Sequence, residues 1–208
     1  SPLKEQIELA ELICSRFKSI ENVRFCNSGT EATMYGIRGA RAYTGKDKII
    51  KIEGGYHGTH PSVEFSIHST DGPKENPIPK MDTKGIPKNL QDNIIVVPFN
   101  NLNILEKKIR EHKDEISCII LEPVLGVGGV IPPKEDYLQG VKELTQKYDI
   151  LLIFDEVQTA RLSEGGGQKY FDVYPDITCL GKIIGGGLPI GAFGGSKEIM
   201  GIFSPEKE

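Results

Sequence analysis

Short apolar runs alternate with amphipathic segments along the chain. The apolar runs predict buried strands at 23–26, 48–52, 94–97, 117–121, 150–155 and 177–180. Segments with apolar residues three or four positions apart predict helices at about 7–17, 30–43, 101–112 and 134–148. Strands and helices that follow one another in this way predict an α/β fold, with a mainly parallel sheet covered by helices on both faces.

The connecting segments carry their own signals. Ser28 and Glu31 match the S-x-x-E capping box, which marks the start of the helix that ends near Gly45. The segment 70–93 is rich in proline and glycine and is predicted to be a long loop, a kind of segment that often serves as a functional lid. The last residues, 204–208, are predicted to be a polar loop.

Composition narrows the function classes. The chain has 208 residues, 38% of them hydrophobic, which is enough for one domain with a substantial core. Its net charge is −4 with dispersed Lys and Arg, so the pattern of a nucleic-acid-binding protein is absent. Apolar runs are too short to span a membrane, and no signal peptide is expected. Four scattered cysteines without C-x-x-C spacing indicate reduced thiols in a cytoplasmic protein.

Two charged residues follow predicted strands. Asp155 ends the strand at 150–155, and Lys182 follows the strand at 177–180 within a glycine-rich turn. Ligands of open α/β sheets bind outside the carboxyl ends of the strands, so both side chains are expected at one site. A lysine among glycines and apolar residues is expected to be partly desolvated, as a Schiff-base lysine requires.

Plainer alternatives stay open for both residues. Lysine is usually a surface residue, and aspartate commonly ends a strand in a turn or caps a helix. A phosphate-binding P-loop at Lys182 is excluded, because Ile183 stands where Ser or Thr is required and the upstream glycine is absent.

Several motifs together resemble one family. They are NSGTEA at 27–32, GYHG at 55–58, LEPV at 121–124, DEVQT at 155–159, GK at 181–182 and GGGLP at 185–189. In this order and spacing they resemble the class III (fold type I) pyridoxal-phosphate aminotransferases. The resemblance covers about residues 5–203. Within the family, RF at 24–25, VIPPK at 130–134 and GGGQKYF at 165–171 resemble the glutamate-1-semialdehyde 2,1-aminomutase branch.

The resemblance implies pyridoxal 5'-phosphate as the cofactor and assigns a role to each motif residue. Lys182 would form a Schiff base with the cofactor and act as general base and acid. Asp155 would pair with the ring nitrogen and keep it protonated. Val157 and Tyr56 would pack on opposite ring faces, although core packing is the commoner fate of such side chains. Gln158 would donate a hydrogen bond to the phenolic oxygen of the ring.

Further residues are expected around this centre. Ser28, Gly29 and Thr30 open a helix, where free N–H groups, hydroxyls and the helix dipole favour a phosphate group. His57 is expected beside Tyr56, one layer behind the ring. Glu122 ends a strand at the edge of the site, where it could orient Gln158 or the substrate amine.

Some features qualify these assignments. His57 and His60 are three residues apart and could suggest a metal, but no further ligands complete a cluster, so no metal is expected. Gln158 stands where the aminomutases tend to have Met, and Val127 stands where the family often has a polar residue.

Three functions are therefore compatible with the sequence. The leading hypothesis is an aminomutase-like enzyme that moves an amino group within one small-molecule substrate. The second, which Gln158 favours, is an intermolecular ω-amino acid:2-oxo acid aminotransferase. The third, of another class, is a cofactor-binding or assembly fragment without turnover.

The resemblance also predicts the domain organisation. Residues 1–208 would form the cofactor-binding large domain, without the N-terminal segment and C-terminal small domain that the family carries. The family further implies a homodimer that builds each site at its interface. No nucleic-acid or membrane partner is expected.

Overall fold

The computed structural model describes residues 3–68 and 71–204. Its helices are α1 (Lys4–Arg16), α2 (Gly29–Thr44), α3 (Leu102–His112), α4 (Tyr137–Tyr148), α5 (Gly166–Tyr170) and α6 (Lys197–Met200). Its strands are β1 (Asn22–Cys26), β2 (Lys48–Ile52), β3 (Ile94–Val97), β4 (Ile116–Leu121), β5 (Leu151–Asp155), β6 (Ile177–Gly181) and β7 (Gly191–Gly195). Short 3-10 helices lie at Lys88–Asn93, Thr159–Arg161, Lys182–Gly185 and Gly201–Phe203. Apart from Ser204, the predicted loop at 204–208 lies outside the described residues.

The strands form a single seven-stranded sheet in the order β1-β7-β6-β5-β4-β2-β3. Strands β2 to β6 pair with one another in parallel, whereas β7 runs antiparallel to both of its neighbours, β1 and β6. The predicted mainly parallel α/β sheet is therefore confirmed. Strand β7 was not predicted, because Gly-Ala-Phe-Gly-Gly lacks the β-branched residues that signal a strand.

Helices cover both faces of the sheet, as predicted. Alternate residues of β5 point to opposite faces: Leu152 and Phe154 join the core under α3 and α4, and Ile153 joins the core under α2. A third, smaller core packs Ile13 of α1 against Leu180 of β6. With both faces buried, the strands can be continuous apolar runs.

The start of α2 follows the predicted capping box with one change. The Ser28 hydroxyl accepts a hydrogen bond from the Glu31 N–H (3.2 Å), as the motif requires. The Glu31 carboxylate, however, accepts from the N–H of Asn27 (2.8 Å), one residue before the cap. At the other end, Gly45 adopts the left-handed conformation (φ 67°) that closes many helices.

Other predictions need small corrections. The fourth helix begins at Tyr137 rather than at 134, because Asp136 in front of it has a left-handed backbone (φ 59°). The predicted loop at 70–93, described from Asp71 onward, contains the 3-10 helix Lys88–Asn93. All four cysteines are free. No helix within residues 3–68 and 71–204 is long and apolar enough to cross a membrane.

Candidate active site

A cavity of about 220 Å³ opens at the edge of the sheet where β2, β4, β5 and β6 end. Its lining comprises Gly29, Thr30, Tyr56, His57, Gly58, Glu122, Asp155, Val157, Gln158 and Lys182. Because the carboxyl ends of parallel strands meet at one edge, residues far apart in the sequence converge there. Of the predicted site residues, Ser28 is absent from this lining.

Lys182 follows β6 directly and has a left-handed backbone conformation (φ 45°). That conformation is uncommon for a residue with a side chain, costs of order 1–3 kcal/mol and clusters at functional sites. The expectation of a partly desolvated lysine is wrong for this structure, because the side chain is exposed. The reason is its position on the open side of the cavity, beside the exposed residues 186–189 of the glycine-rich turn.

Asp155 is buried at the end of β5 and accepts two hydrogen bonds. Its Oδ2 lies 2.9 Å from Nδ1 of His57, and its Oδ1 accepts from the N–H of Val157 (3.1 Å). Desolvation lowers the pKa of His57 from its ordinary value, although the Asp155 carboxylate opposes this. The imidazole is therefore neutral at pH 7 and donates its Nδ1–H to Asp155. His57 thus stands behind Asp155, one layer from the centre, as the sequence predicted.

Glu122 lies just beyond β4 and accepts a hydrogen bond from the N–H of Gly126 (3.1 Å). Desolvation and the neighbouring Asp155 raise the pKa of Glu122 to about 7, while Lys182 opposes this shift. Gln158 faces the same loop, since a Cβ at Gly126 would lie 2.5 Å from the Gln158 Nε2 atom. Glu122 and Gln158 therefore lie in the same cavity as Asp155 and Lys182, as predicted.

The N-terminus of α2 forms one wall of the cavity. The first N–H groups of a helix have no partner within the helix, so those of Gly29 and Thr30 can bind an anion. Ser28 uses its hydroxyl to cap the helix. Gly58 (φ 95°) lies so close to this end that an added Cβ would be 2.6 Å from the Cα of Thr30. The wall therefore depends on glycine at 58.

Val157 and Tyr56 supply the remaining walls. Val157 packs on the backbone where α2 begins: a Cβ at Gly29 would lie 2.9 Å from the Val157 Cγ2 atom. Tyr56 is half-buried and precedes His57 in the segment that leaves β2. The structure thus brings both side chains to the one cavity that also holds Asp155 and Lys182.

Two buried ionisable residues near the site were not predicted. Glu156 is buried and accepts hydrogen bonds from Thr159 Oγ1 (2.6 Å) and from the N–H groups of Gly167 (2.7 Å) and Gln168 (2.8 Å). It fixes the loop that carries Val157 and Gln158. Lys51 is fully buried on β2. Its signal in the sequence was a lysine between two isoleucines of a predicted buried strand.

His57 and His60 have different hydrogen-bond partners. The Nδ1 atom of His57 bonds Asp155, and His60 lies with its Nε2 atom 3.3 Å from the Thr33 hydroxyl. No group of three His, Cys, Asp or Glu side chains among the described residues could hold a metal ion.

The cavity fits pyridoxal phosphate by the chemistry of its groups. Lys182 offers an amine for an aldehyde, and Asp155 offers a carboxylate for a protonated ring nitrogen. The start of α2 offers N–H groups for a phosphate. Tyr56 and Val157 offer flat and apolar surfaces for a ring.

Comparisons with known proteins agree with this geometry. The sequence profile described as Aminotransferase class-III matches residues 2–208. Glutamate-1-semialdehyde 2,1-aminomutase of Natranaerobius thermophilus is 51% identical over 206 residues, which are 99% of this chain and 47% of that protein. The chain thus spans about half the length of the curated relatives it matches.

Solved structures share the fold over the whole chain. An omega-transaminase from Sphaerobacter thermophilus is 43% identical with a TM-score of 0.94, covering 98% of this chain and 47% of that one. A transaminase with PLP bound is 35% identical with a TM-score of 0.92, covering 100% of this chain and 48% of that one.

Proposed function

Because the chain belongs to the class-III aminotransferase family, we propose that it forms the cofactor-binding part of a pyridoxal-phosphate enzyme that moves an amino group within glutamate-1-semialdehyde. One observation carries the proposal. Lys182, Asp155 and the N-terminus of α2 line the same cavity, although they come from three different elements. The 51% identity to an aminomutase supports the choice of substrate.

Each lining residue has a proposed task. The Nζ atom of Lys182 would hold the cofactor covalently and would accept and return the proton of the reacting carbon. Asp155 keeps the ring nitrogen protonated, and His57 orients Asp155. When bound, pyridoxal phosphate supplies the electron sink that stabilises the carbanion. Tyr56 and Val157 hold the ring between them.

The remaining residues orient the ligand. The N–H groups of Gly29 and Thr30 bind the phosphate, and Ser28 supports them by capping α2. Gln158 donates to the phenolic oxygen of the ring. Glu122, with a pKa of about 7, exchanges protons near neutral pH at the edge of the site.

A second function is favoured by two observations. Gln158 departs from the Met that the aminomutase branch tends to have, and the omega-transaminase of Sphaerobacter thermophilus is 43% identical. An intermolecular aminotransferase needs a separate amino donor and a 2-oxo acid acceptor. An aminomutase needs only its single substrate, because the amino group returns to the same carbon skeleton.

This difference decides the test. The protein that carries this chain, loaded with cofactor, is mixed with glutamate-1-semialdehyde alone, and the position of the amino group is followed by NMR. Conversion without any 2-oxo acid supports the aminomutase. Conversion of ω-amino donors that requires a 2-oxo acid supports the aminotransferase. Cofactor binding without either reaction supports a non-catalytic fragment and contradicts the proposal.

We also propose that the protein forms a homodimer. Large apolar side chains are exposed at Ile7 and Leu12 on α1 and at Ile183 and Leu188 beside the site. Exposed apolar surface of this kind often becomes buried between subunits, which supports a homodimer with small-molecule substrates. Free cysteines agree with a cytoplasmic protein. Light scattering of the cofactor-loaded protein would give twice the chain mass if the dimer is correct.

A further inference from the structure

Lys51 lies on β2 with its side chain fully buried. Its Nζ atom donates hydrogen bonds to the carbonyl oxygen of Gly55 (3.0 Å) and to the carbonyl oxygen of Phe65. Within the described ranges, no carboxylate forms an ion pair with it. A buried ammonium held only by two backbone carbonyls is unusual, because lysine is almost never fully buried unless it is paired.

The two carbonyls mark the ends of one segment, 55–65, which we call the site segment. Tyr56 and His57 lie next to its first end, and both line the cavity. The site segment has no helix and only an isolated bridge at Phe65, so few backbone hydrogen bonds fix its path. Lys51 connects both ends of this irregular segment to β2, which is hydrogen-bonded within the sheet between β4 and β3.

Lys51 is itself absent from the cavity lining. It therefore cannot contact a ligand in the cavity, and any effect on the site must pass through the site segment. The charge of Lys51 also affects a titratable residue of the site segment, His57. Desolvation lowers the pKa of Lys51 to about 8, opposed by Asp82 and by Glu122. The ammonium in turn lowers the pKa of His57.

We propose that Lys51 is a positioning residue, whose buried ammonium holds the site segment so that Tyr56 covers the cofactor ring and His57 donates to Asp155. The part that concerns the cofactor rests on the proposed function. The two hydrogen bonds from Lys51 to the ends of the site segment do not depend on the cofactor. They explain why a lysine occupies a buried position of β2 between Ile50 and Ile52, which belong to the core.

The titratable groups that face His57 come from three places. They are Asp155 at the end of β5, Lys51 on β2 and His60 within the site segment. Removing the Lys51 charge leaves Asp155 and His60 unchanged. The protonation midpoint of His57 is therefore expected to rise when Lys51 is replaced by an uncharged residue.

The test uses Lys51→Met, which keeps an unbranched side chain of nearly the same length and removes its donors and charge. Lys48→Met is the matched control on the same strand, because Lys48 donates to the Asp92 carbonyl (2.7 Å) and pairs with Glu115 away from the site. Leu105→Ala, in the buried core, controls for a general loss of stability. Amide hydrogen exchange and ¹⁵N-histidine NMR are recorded without cofactor, and cofactor affinity is measured separately.

For Lys51→Met, exchange in 55–65 is expected to be roughly ten-fold faster. The His57 midpoint should rise, and cofactor should bind roughly ten-fold more weakly. Neither control should change these signals selectively. If Lys51→Met does not fold, Lys51→Gln, which keeps an N–H donor without the charge, replaces it with the same readouts.

The proposal is overturned if exchange in the site segment and the His57 midpoint stay at the parent values. It is also overturned if Leu105→Ala changes them equally, since that would indicate a general effect of stability. If the cofactor attaches to a lysine other than Lys182, the proposed function fails. Amide hydrogen exchange and histidine NMR, both recorded without cofactor, still decide whether Lys51 holds the site segment in place.

Discussion

The Nδ1 atom of His57 lies 2.9 Å from Oδ2 of Asp155, and both buried residues belong to the lining of the cavity. Burial lowers the pKa of His57, so the neutral ring donates from Nδ1 and its Nε2 atom is deprotonated. The Nε2 atom has no hydrogen-bond partner among the described residues. His57 therefore fixes the orientation of the Asp155 carboxylate.

Asp155→Asn is expected to keep the fold and weaken catalysis much more than cofactor binding. The amide cannot supply the charged hydrogen bond to a ring nitrogen, which is worth about 1.5–3 kcal/mol. We expect half-reaction rates to fall roughly ten- to hundred-fold by the same energy scale. Cofactor titration and single-turnover kinetics measure the two effects. Parent rates in the variant would show that Asp155 does not contact the ring.

Gly58→Ala is expected to destabilise the protein and weaken phosphate binding. The new Cβ would lie 2.6 Å from the Cα of Thr30, and the φ of 95° strains any side chain. Gly45→Ala is the matched control, because Gly45 also has a positive φ (67°) but nothing lies within 4 Å of its added Cβ.

Both variants should lose about 1 kcal/mol from the backbone conformation. Gly58→Ala should lose roughly 1–3 kcal/mol more because of the steric overlap. Urea unfolding measures the free energy of unfolding, and titration with inorganic phosphate measures the anion affinity of the N-terminus of α2. Equal losses in the two variants would mean that the contact between Gly58 and Thr30 is not tight in solution.

His60 predicts a dependence of stability on pH. Desolvation, with smaller contributions from His57 and Arg41, lowers its pKa from 6.5 to about 4. Below pH 6.5 the unfolded chain therefore binds a proton that the folded chain does not. The free energy of unfolding consequently falls as the pH drops from 6.5 towards 4, by about 2 kcal/mol at pH 5.

His60→Gln should remove this loss. Glu122 has a raised pKa and acts with the opposite sign between pH 4.5 and 7, and His57 has a lowered pKa and acts with the same sign as His60. Both residues are present in parent and variant, so their contributions cancel in the difference between the two. Urea unfolding at pH 7 and pH 5 measures that difference. Parallel pH profiles for parent and variant would refute the assignment of a neutral, buried His60.

Regular elements were largely predictable from the sequence, because burial imposes a visible period on apolar residues. The apolar run at 94–97 became β3 with the same bounds. Strand β7 was not predicted because it is rich in glycine. Glycine is needed at 191 because the backbone of Ser28 passes so close that any Cβ there would overlap the Ser28 carbonyl oxygen. Sequence periodicity does not report such contacts between distant segments.

The candidate site was predictable where a motif carried it. Asp155 and Lys182 meet at one cavity because parallel strands share an edge. The burial of Lys51 was not predictable, because its acceptors are backbone carbonyls of an irregular segment. The exposure of Lys182 differed from expectation for a similar reason, since the shape of the turn at 185–189 does not follow from its composition.

The central claim is that Lys182 holds pyridoxal phosphate covalently. Its direct test is borohydride reduction of the cofactor-loaded protein, followed by peptide mapping with mass spectrometry. We expect the phosphopyridoxyl group on Lys182 and its loss in Lys182→Met, while Lys197→Met, on α6, keeps it. A group mapped reproducibly to another lysine, or retained in Lys182→Met, would contradict the account.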